Sequence, residues 1–431
     1  MLKTGNLQTR REFLRKGLTL AAVSFTVPSF LTRTVFALNN PLDVRATSSV
    51  PGRPDERILV VVQLGGGNDG LNTVIPYGHD EYYRHRPSLG IAKGEILRLN
   101  DEVGFHPGLK NLKSIYDEGH VAVLQGVGYP NPNRSHFRSM EIWQTASDSD
   151  RFEKYGWLGR YFDNQCSGCA ENASSAVAIG NQLPESFRSK SPTGIALQDP
   201  DAFQWSPSPT AVIPAKAETQ LYQQINRAPS LASTGQIVPG NLDFLSRTAL
   251  NAQISSDKIR EVAKKYRSTI EYPNGYFATS LKLVAQMIAG NLGTKVFYVS
   301  QAGYDTHANQ RGEHQRLLNE FAESVQAFHR DMQKQGNADR VTVMSFSEFG
   351  RRVQENASGG TDHGCAAPMF VFGSKVKGGV YGPHPDLKKL DNGDLKFHTD
   401  FRCVYATLLE NWMGAQSAPV LGREFKKLAF V

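Results

Sequence analysis

The chain is poor in cysteine, with four in 431 residues. That count excludes a small scaffold held together by disulfides. The single Cys166-Ser167-Gly168-Cys169 pair has no second CxxC to complete a zinc site, so it reads as a local disulfide or as two free thiols. A membrane-spanning apolar run is also missing. The most apolar N-terminal stretch, between Lys16 and Arg33, carries hydroxyl residues and Pro28, whereas a span needs about 20 mostly apolar residues. No basic run occurs beyond the N-terminus. Residues 1–37 hold six Lys/Arg against one acid, so of a formal net charge of +7 only about two charges belong to the rest, which argues against a nucleic-acid partner. No internal repeat is visible. Hydrophobic residues at 40% and charged residues at 21% exclude a disordered chain and leave enough apolar material for a large core.

What is present begins with Arg10-Arg11-Glu12-Phe13-Leu14 and a weakly apolar stretch, followed by Val35-Phe36-Ala37. This resembles a twin-arginine export signal cleaved after Ala37, and it implies delivery by the twin-arginine machinery to the periplasm or the cell exterior. Residues 38–57, with three prolines, read as a linker. Continuous β-branched runs at Ile58–Leu64, Val121–Val127, Lys295–Ser300 and Val341–Phe346 are the pattern of parallel strands covered on both faces. Between them, Leu281, Val284, Ile288 and Leu292 mark one helix with the 3.6-residue period. Leu317, Leu318, Phe321, Val325, Phe328 and Met332 mark a second, and Val404, Leu408 and Trp412 a third. The expected fold is α/β, a mainly parallel sheet flanked by helices over residues 58–431. The Ser-, Pro- and Gln-rich stretch at about 165–250 reads as an irregular insertion or cap.

Ligand sites in such sheets lie beyond the carboxyl ends of the strands. All four expected strands run into polar clusters there. These are Asn68, Asp69 and Asn72; Asn133-Arg134-Ser135-His136; Tyr304-Asp305-Thr306-His307; and, past a glycine-rich turn, Thr361-Asp362-His363-Gly364. Asp69, Asp305, His307, Asp362 and His363 together offer mixed oxygen and nitrogen ligation for one or two divalent ions, with Zn, Mg, Mn and Ca all open. Each alone has a simpler explanation: a turn aspartate at Asp69, a helix cap at Asp305, a loop at Asp362-His363. Ser135, at the start of a helix over Phe137 to about Thr145, is either an N-cap or a nucleophile. In the second case Asn72, Arg134 and Arg138 are the substrate-binding candidates, the arginines beside backbone N–H groups suited to a phosphate-like anion. His136 reads as packing or orienting the loop, His106 as a surface or turn residue, Glu348 with Arg351 and Arg352 as an ion pair, and His398 as a late ligand candidate.

The run LGGGNDGLNTVIPY from Leu64 to Tyr77 is followed in order by Ser135-His136-Phe137, Tyr304-Asp305-Thr306-His307, Phe346-Ser347-Glu348-Phe349-Gly350-Arg351, Thr361-Asp362-His363-Gly364 and Asp400-Phe401-Arg402. These residues resemble the exported family catalogued as domain of unknown function 1501, over about residues 58–414. That family is grouped with the alkaline phosphatase and sulfatase superfamily. The resemblance implies an alkaline phosphatase-like fold with a metal site at the strand ends. It implies that Asp69 is the ligand after the first strand, that Ser135 is the nucleophile and that Asp362-His363 is an adjacent ligand pair. One residue separates Asp305 from His307 where the superfamily usually has three. The expected activity is metal-dependent hydrolysis of small-molecule or polymeric phosphate or sulfate esters. The alternative is a binding or assembly protein that keeps the fold and the metal without turnover.

Overall fold

The computed structural model describes residues 57–164, 175–190, 194–198 and 259–431. The residues read as an export signal, most of those read as a linker, Cys166 and Cys169 lie outside these. Among the described residues no helix is long and apolar enough to cross a membrane.

Nine strands form the main sheet: β1 (Ile58–Gly65), β2 (Val121–Gly128), β3 (Ala176–Ile179), β4 (Gly194–Leu197), β5 (Val296–Ala302), β6 (Val341–Phe346), β7 (Ala367–Phe372), β8 (Gly379–Tyr381) and β9 (Thr399–Asp400). Their order is β8-β2-β7-β6-β1-β5-β3-β4, with β9 pairing onto the end of β2. β1 lies parallel to both β5 and β6, and β3 is parallel to β4 and β5. β7 runs antiparallel to both its neighbours, β2 and β6. The sheet is therefore mainly parallel, as the continuous apolar runs indicate. β3 and β4 fall in the stretch expected to be an irregular cap, yet they extend the sheet.

The six helices that matter for the site are α1 (Lys110–Asp117), α2 (His136–Thr145), α3 (Trp157–Asn164), α4 (Tyr276–Ala289), α5 (Gln310–Lys334) and α6 (Phe401–Thr407). Successive side chains of a strand point to opposite faces, so β1 feeds two cores. Ile58, Val60, Val62 and Leu64 pack in the cluster that holds Leu281 and Val284 of α4 and Leu317, Phe321 and Val325 of α5. Leu59 and Val61 pack in the other, with Ile142 and Trp143 of α2, Leu158 of α3 and Val404 of α6. Fully burying one such side chain contributes roughly 1.5–3 kcal/mol. A central strand apolar on both faces is thus fixed in depth, and its carboxyl end is fixed with it. The reversed direction of β7 keeps residues 347–366, between β6 and β7, at that same edge.

Candidate metal centre

Arg351 lies at the centre of the strand-end loops and is 2% exposed. Its guanidinium donates to the carbonyls of Gly67 at 2.6 Å, Thr361 at 2.8 Å and Tyr304 at 2.9 Å, to the Gly66 carbonyl, and to Asp305 Oδ1 at 2.7 Å. One cation thereby ties together the loops after β1, β5 and β6. The loops approach closely enough that some positions admit no side chain. A Cβ on Gly66, whose φ is +119°, would stand 2.4 Å from the Asp305 nitrogen, and one on Gly360 would stand 2.2 Å from the His307 carbonyl carbon.

Above this frame His136, Asp305, His307, Asp362 and His363 meet. Asp305 Oδ1 is 3.0 Å from His307 Nε2 and 3.2 Å from His363 Nε2, and its Oδ2 is 3.5 Å from His136 Nε2. His307 Nε2 and His363 Nε2 are 2.9 Å apart, and His307 Nδ1 is 3.3 Å from Asp362 Oδ1. The Asp305-Thr306-His307 spacing is well suited to this. Thr306 is buried and hydrogen-bonds Gln310, while its two neighbours point the other way, outward.

The two remaining histidines are oriented from behind. His136 Nδ1 is 2.8 Å from Glu348 Oε1, which also accepts the Gly66 N–H at 2.9 Å, and His363 Nδ1 is 2.8 Å from the Arg134 carbonyl. With Nδ1–H donated in each ring, both Nε2 lone pairs face the cluster. His136 Nε2 is buried without a hydrogen-bond partner. His136, Asp305 and His363 each present a ligand atom within 4.8 Å of the others, and this donor set fits a divalent ion. Burial opposes ionisation of Asp305, but the Arg351 guanidinium, through its hydrogen bond and its charge, outweighs it and holds the carboxyl at about 2. Burial pushes His363 below the usual imidazole value, and the Asn356 hydrogen bond lowers Asp362. All three groups are in their ligating forms at neutral pH.

Several expected site residues are not brought to this cluster. Asp69 is 1% exposed and caps the helical turn Gly70–Thr73. Its Oδ2 pairs with Arg86 at 2.5 Å and accepts from Gln310, so its carboxylate is engaged one layer below the cluster, to which Gln310 links it through Thr306 and Thr361. Asn72 is buried against Arg86, Tyr82 and the Leu89 carbonyl, out of reach of a substrate. Arg134 is paired with Asp394, and Arg138 turns to the carbonyls of Asp148, Ser149 and Arg151 and stacks on Phe152. Neither guanidinium is available to an anion at Ser135. His398 hydrogen-bonds Thr399 and the Pro383 carbonyl, and His106 is a buried turn residue whose Nδ1 accepts from Gly108. Glu348 orients His136, and Arg351 pairs with Asp305, so the ion pair expected among Glu348, Arg351 and Arg352 is replaced by two separate contacts.

Ser135 caps α2 without a side-chain cap bond and is exposed. Its neighbours on both sides touch the cluster, Arg134 through its carbonyl and His136 through its ring.

The buried Asp69–Arg86 pair carries its own expectation. Burial raises the Asp69 carboxyl, yet Arg86 holds it below the usual range. A depressed pKa gives stability that is present above the unfolded value of about 3.9 and is lost as pH falls through the folded one. Urea midpoints measured between pH 6 and pH 2 should show that loss, to which Asp305 and Asp362 also contribute, and Asp69→Asn should make it smaller while costing about 3 kcal/mol at neutral pH, because Arg86 is left uncompensated. Metal content per folded chain should stay at the parent level. A drop in metal with unchanged stability would return Asp69 to the ligand set.

Solved structures similar to this chain include the sulfatase PsFucS1 from Pseudoalteromonas sp., at 11% identity over 92% of this chain and 72% of that one, with a TM-score of 0.36. A protein in the alkaline phosphatase superfamily from Vibrio parahaemolyticus matches at 10% identity over 89% and 72%, TM-score 0.37. The C-terminal periplasmic domain of EcEptC from Escherichia coli, in complex with Zn, matches at 10% over 76% and 74%, TM-score 0.33. No curated protein sequence matches the chain. The family described as protein of unknown function, DUF1501, matches residues 56–394, most of the sequence, and the chain belongs to that family.

Proposed function

We propose that this protein is an exported, metal-dependent hydrolase of phosphate or sulfate esters, with His136, Asp305 and His363 as the core of its metal ligands and His307 and Asp362 at the rim. The observation that carries the reading is the orphaned, buried Nε2 of His136, held by Glu348 so that it faces Asp305 and His363. Two imidazoles favour a zinc-class ion over Mg or Ca, which prefer all-oxygen sites. The chemistry a bound divalent ion supplies is polarisation of the ester oxygen and a lower pKa for a nearby hydroxyl. Ser135 is the nucleophile in this proposal. Its Oγ forms a bond to phosphorus or sulfur as the ester oxygen leaves, and water then cleaves the serine ester. The substrate is a small-molecule or polymeric ester, reached after export through the Arg10-Arg11 signal.

One observation favours the second reading, a metal-containing binding or assembly protein. Arg134 and Arg138 are both committed elsewhere, so neither neutralises a charged group at Ser135. Metal analysis of the purified protein, followed by a panel of chromogenic phosphate and sulfate esters, separates the two. Turnover that disappears on chelation and returns with zinc supports the hydrolase. Bound metal with no turnover on any ester supports the binder. His363→Ala should lower metal affinity by at least about tenfold, and an unchanged affinity would overturn the ligand assignment.

A further inference from the structure

At the opposite edge of the sheet, where β2 begins, a second group of ligand-type side chains lies apart from the site above. Glu118 ends α1, Gly119 reverses the chain with a φ of +83°, and His120 immediately precedes β2. His329, on α5, is 5% exposed and faces both. Glu118 Oε2 is 3.8 Å from His120 Nδ1 and 3.9 Å from His329 Nε2, and the two imidazole centroids are 5.4 Å apart. We infer that Glu118, His120 and His329 form a second divalent-cation site of the zinc class, which clasps the turn between α1 and β2 to α5.

Three features support this. His120 Nδ1 is buried and has no hydrogen-bond partner, a state that is destabilising unless something fills it. The two separations from Glu118 are about half an ångström wider than the edge of a tetrahedral zinc site, about 3.3 Å for ligands at about 2.0–2.1 Å, and all three ligand atoms lie within 4.8 Å of one another. Glu118 is half exposed, so rotation of its side chain closes that gap without moving the backbone. Burial keeps His329 neutral, pushing its pKa down to about 4, which suits an imidazole ligand. Gln333, one turn further along α5, lies 3.2 Å from His329 Nε2, and a bound ion replaces that contact. The exposed side of Glu118 leaves the fourth position to water.

The site is independent of the hydrolase reading, and the test is built to keep the two apart. Chelator-stripped full-length protein carrying His136→Ala and His363→Ala is given Zn²⁺ alone. Bound zinc is counted after buffer exchange, and Tm is recorded with and without the ion. The double variant should retain one zinc per chain and show a Tm raised by a few degrees, since a ligand that binds only the folded state stabilises it. Adding His120→Ala should abolish both the zinc and the rise. Glu118→Gln, at an exposed position that leaves the fold intact, should weaken binding by at least about tenfold. A double variant that binds no zinc would overturn the inference, and so would zinc uptake unaffected by either His120→Ala or Glu118→Gln.

Discussion

Replacing Ser135 by alanine is expected to lower ester turnover by at least about a thousandfold, with metal content and Tm at parent values. The stability half of this expectation comes from the geometry. Ser135 is exposed and makes no side-chain cap bond, so its hydroxyl contributes less to α2 than the roughly 1 kcal/mol of a working N-cap. The metal half comes from the proposed ligands, since none of the five clustered side chains bonds to Ser135 Oγ. The catalytic half rests on the proposal that this hydroxyl attacks the ester. A variant that hydrolyses its best ester at the parent rate would show that water attacks directly. If metal and turnover fall together, Ser135 instead supports the cluster. Single-turnover kinetics with trapping of a phosphoserine or sulfoserine discriminates further, because only a nucleophilic Ser135 leaves a covalent adduct.

The sheet was legible because its central strands are apolar on both faces, and a run such as Ile58–Leu64 admits few other placements. The clustered loops followed from the rule that parallel strands deliver ligands at their carboxyl ends. Asp305, His307, Asp362 and His363 are found together for that reason. What local pattern could not convey are contacts between distant segments. His136 looks like a residue at a helix start, and only Glu348, 212 residues away, turns its ring into the cluster. Asp69 looks like a ligand because it sits among glycines after a strand. Arg86, which neutralises it, follows the short helix Asp80–His85, a place where arginines usually face solvent. The antiparallel β7 begins Ala367-Pro368, and proline obscures a strand pattern. Its direction nonetheless explains how residues 361–364 reach the same edge.

Arg351→Met is expected to cost about 5 kcal/mol of folding stability and to abolish metal binding at the cluster while leaving the secondary structure intact. Methionine fills much of the same volume but donates nothing. The carbonyls of Gly66, Gly67, Tyr304 and Thr361 lose a donor in a region closed to water, at about 1–3 kcal/mol each before relaxation. Asp305 loses the cation that holds its carboxyl at about 2. The chemical result is specific: with that hydrogen bond gone, the Asp305 pKa should rise toward the usual carboxylate range, and the three strand-end loops are no longer pinned to one another. Arg351→Lys keeps the charge but has three donors in place of a planar fork, so it should recover some stability and little metal binding. Urea unfolding and metal analysis on both variants check the expectation. If Arg351→Met holds metal at the parent level, the cluster is organised by its own ligands and the buried arginine has no part in positioning it.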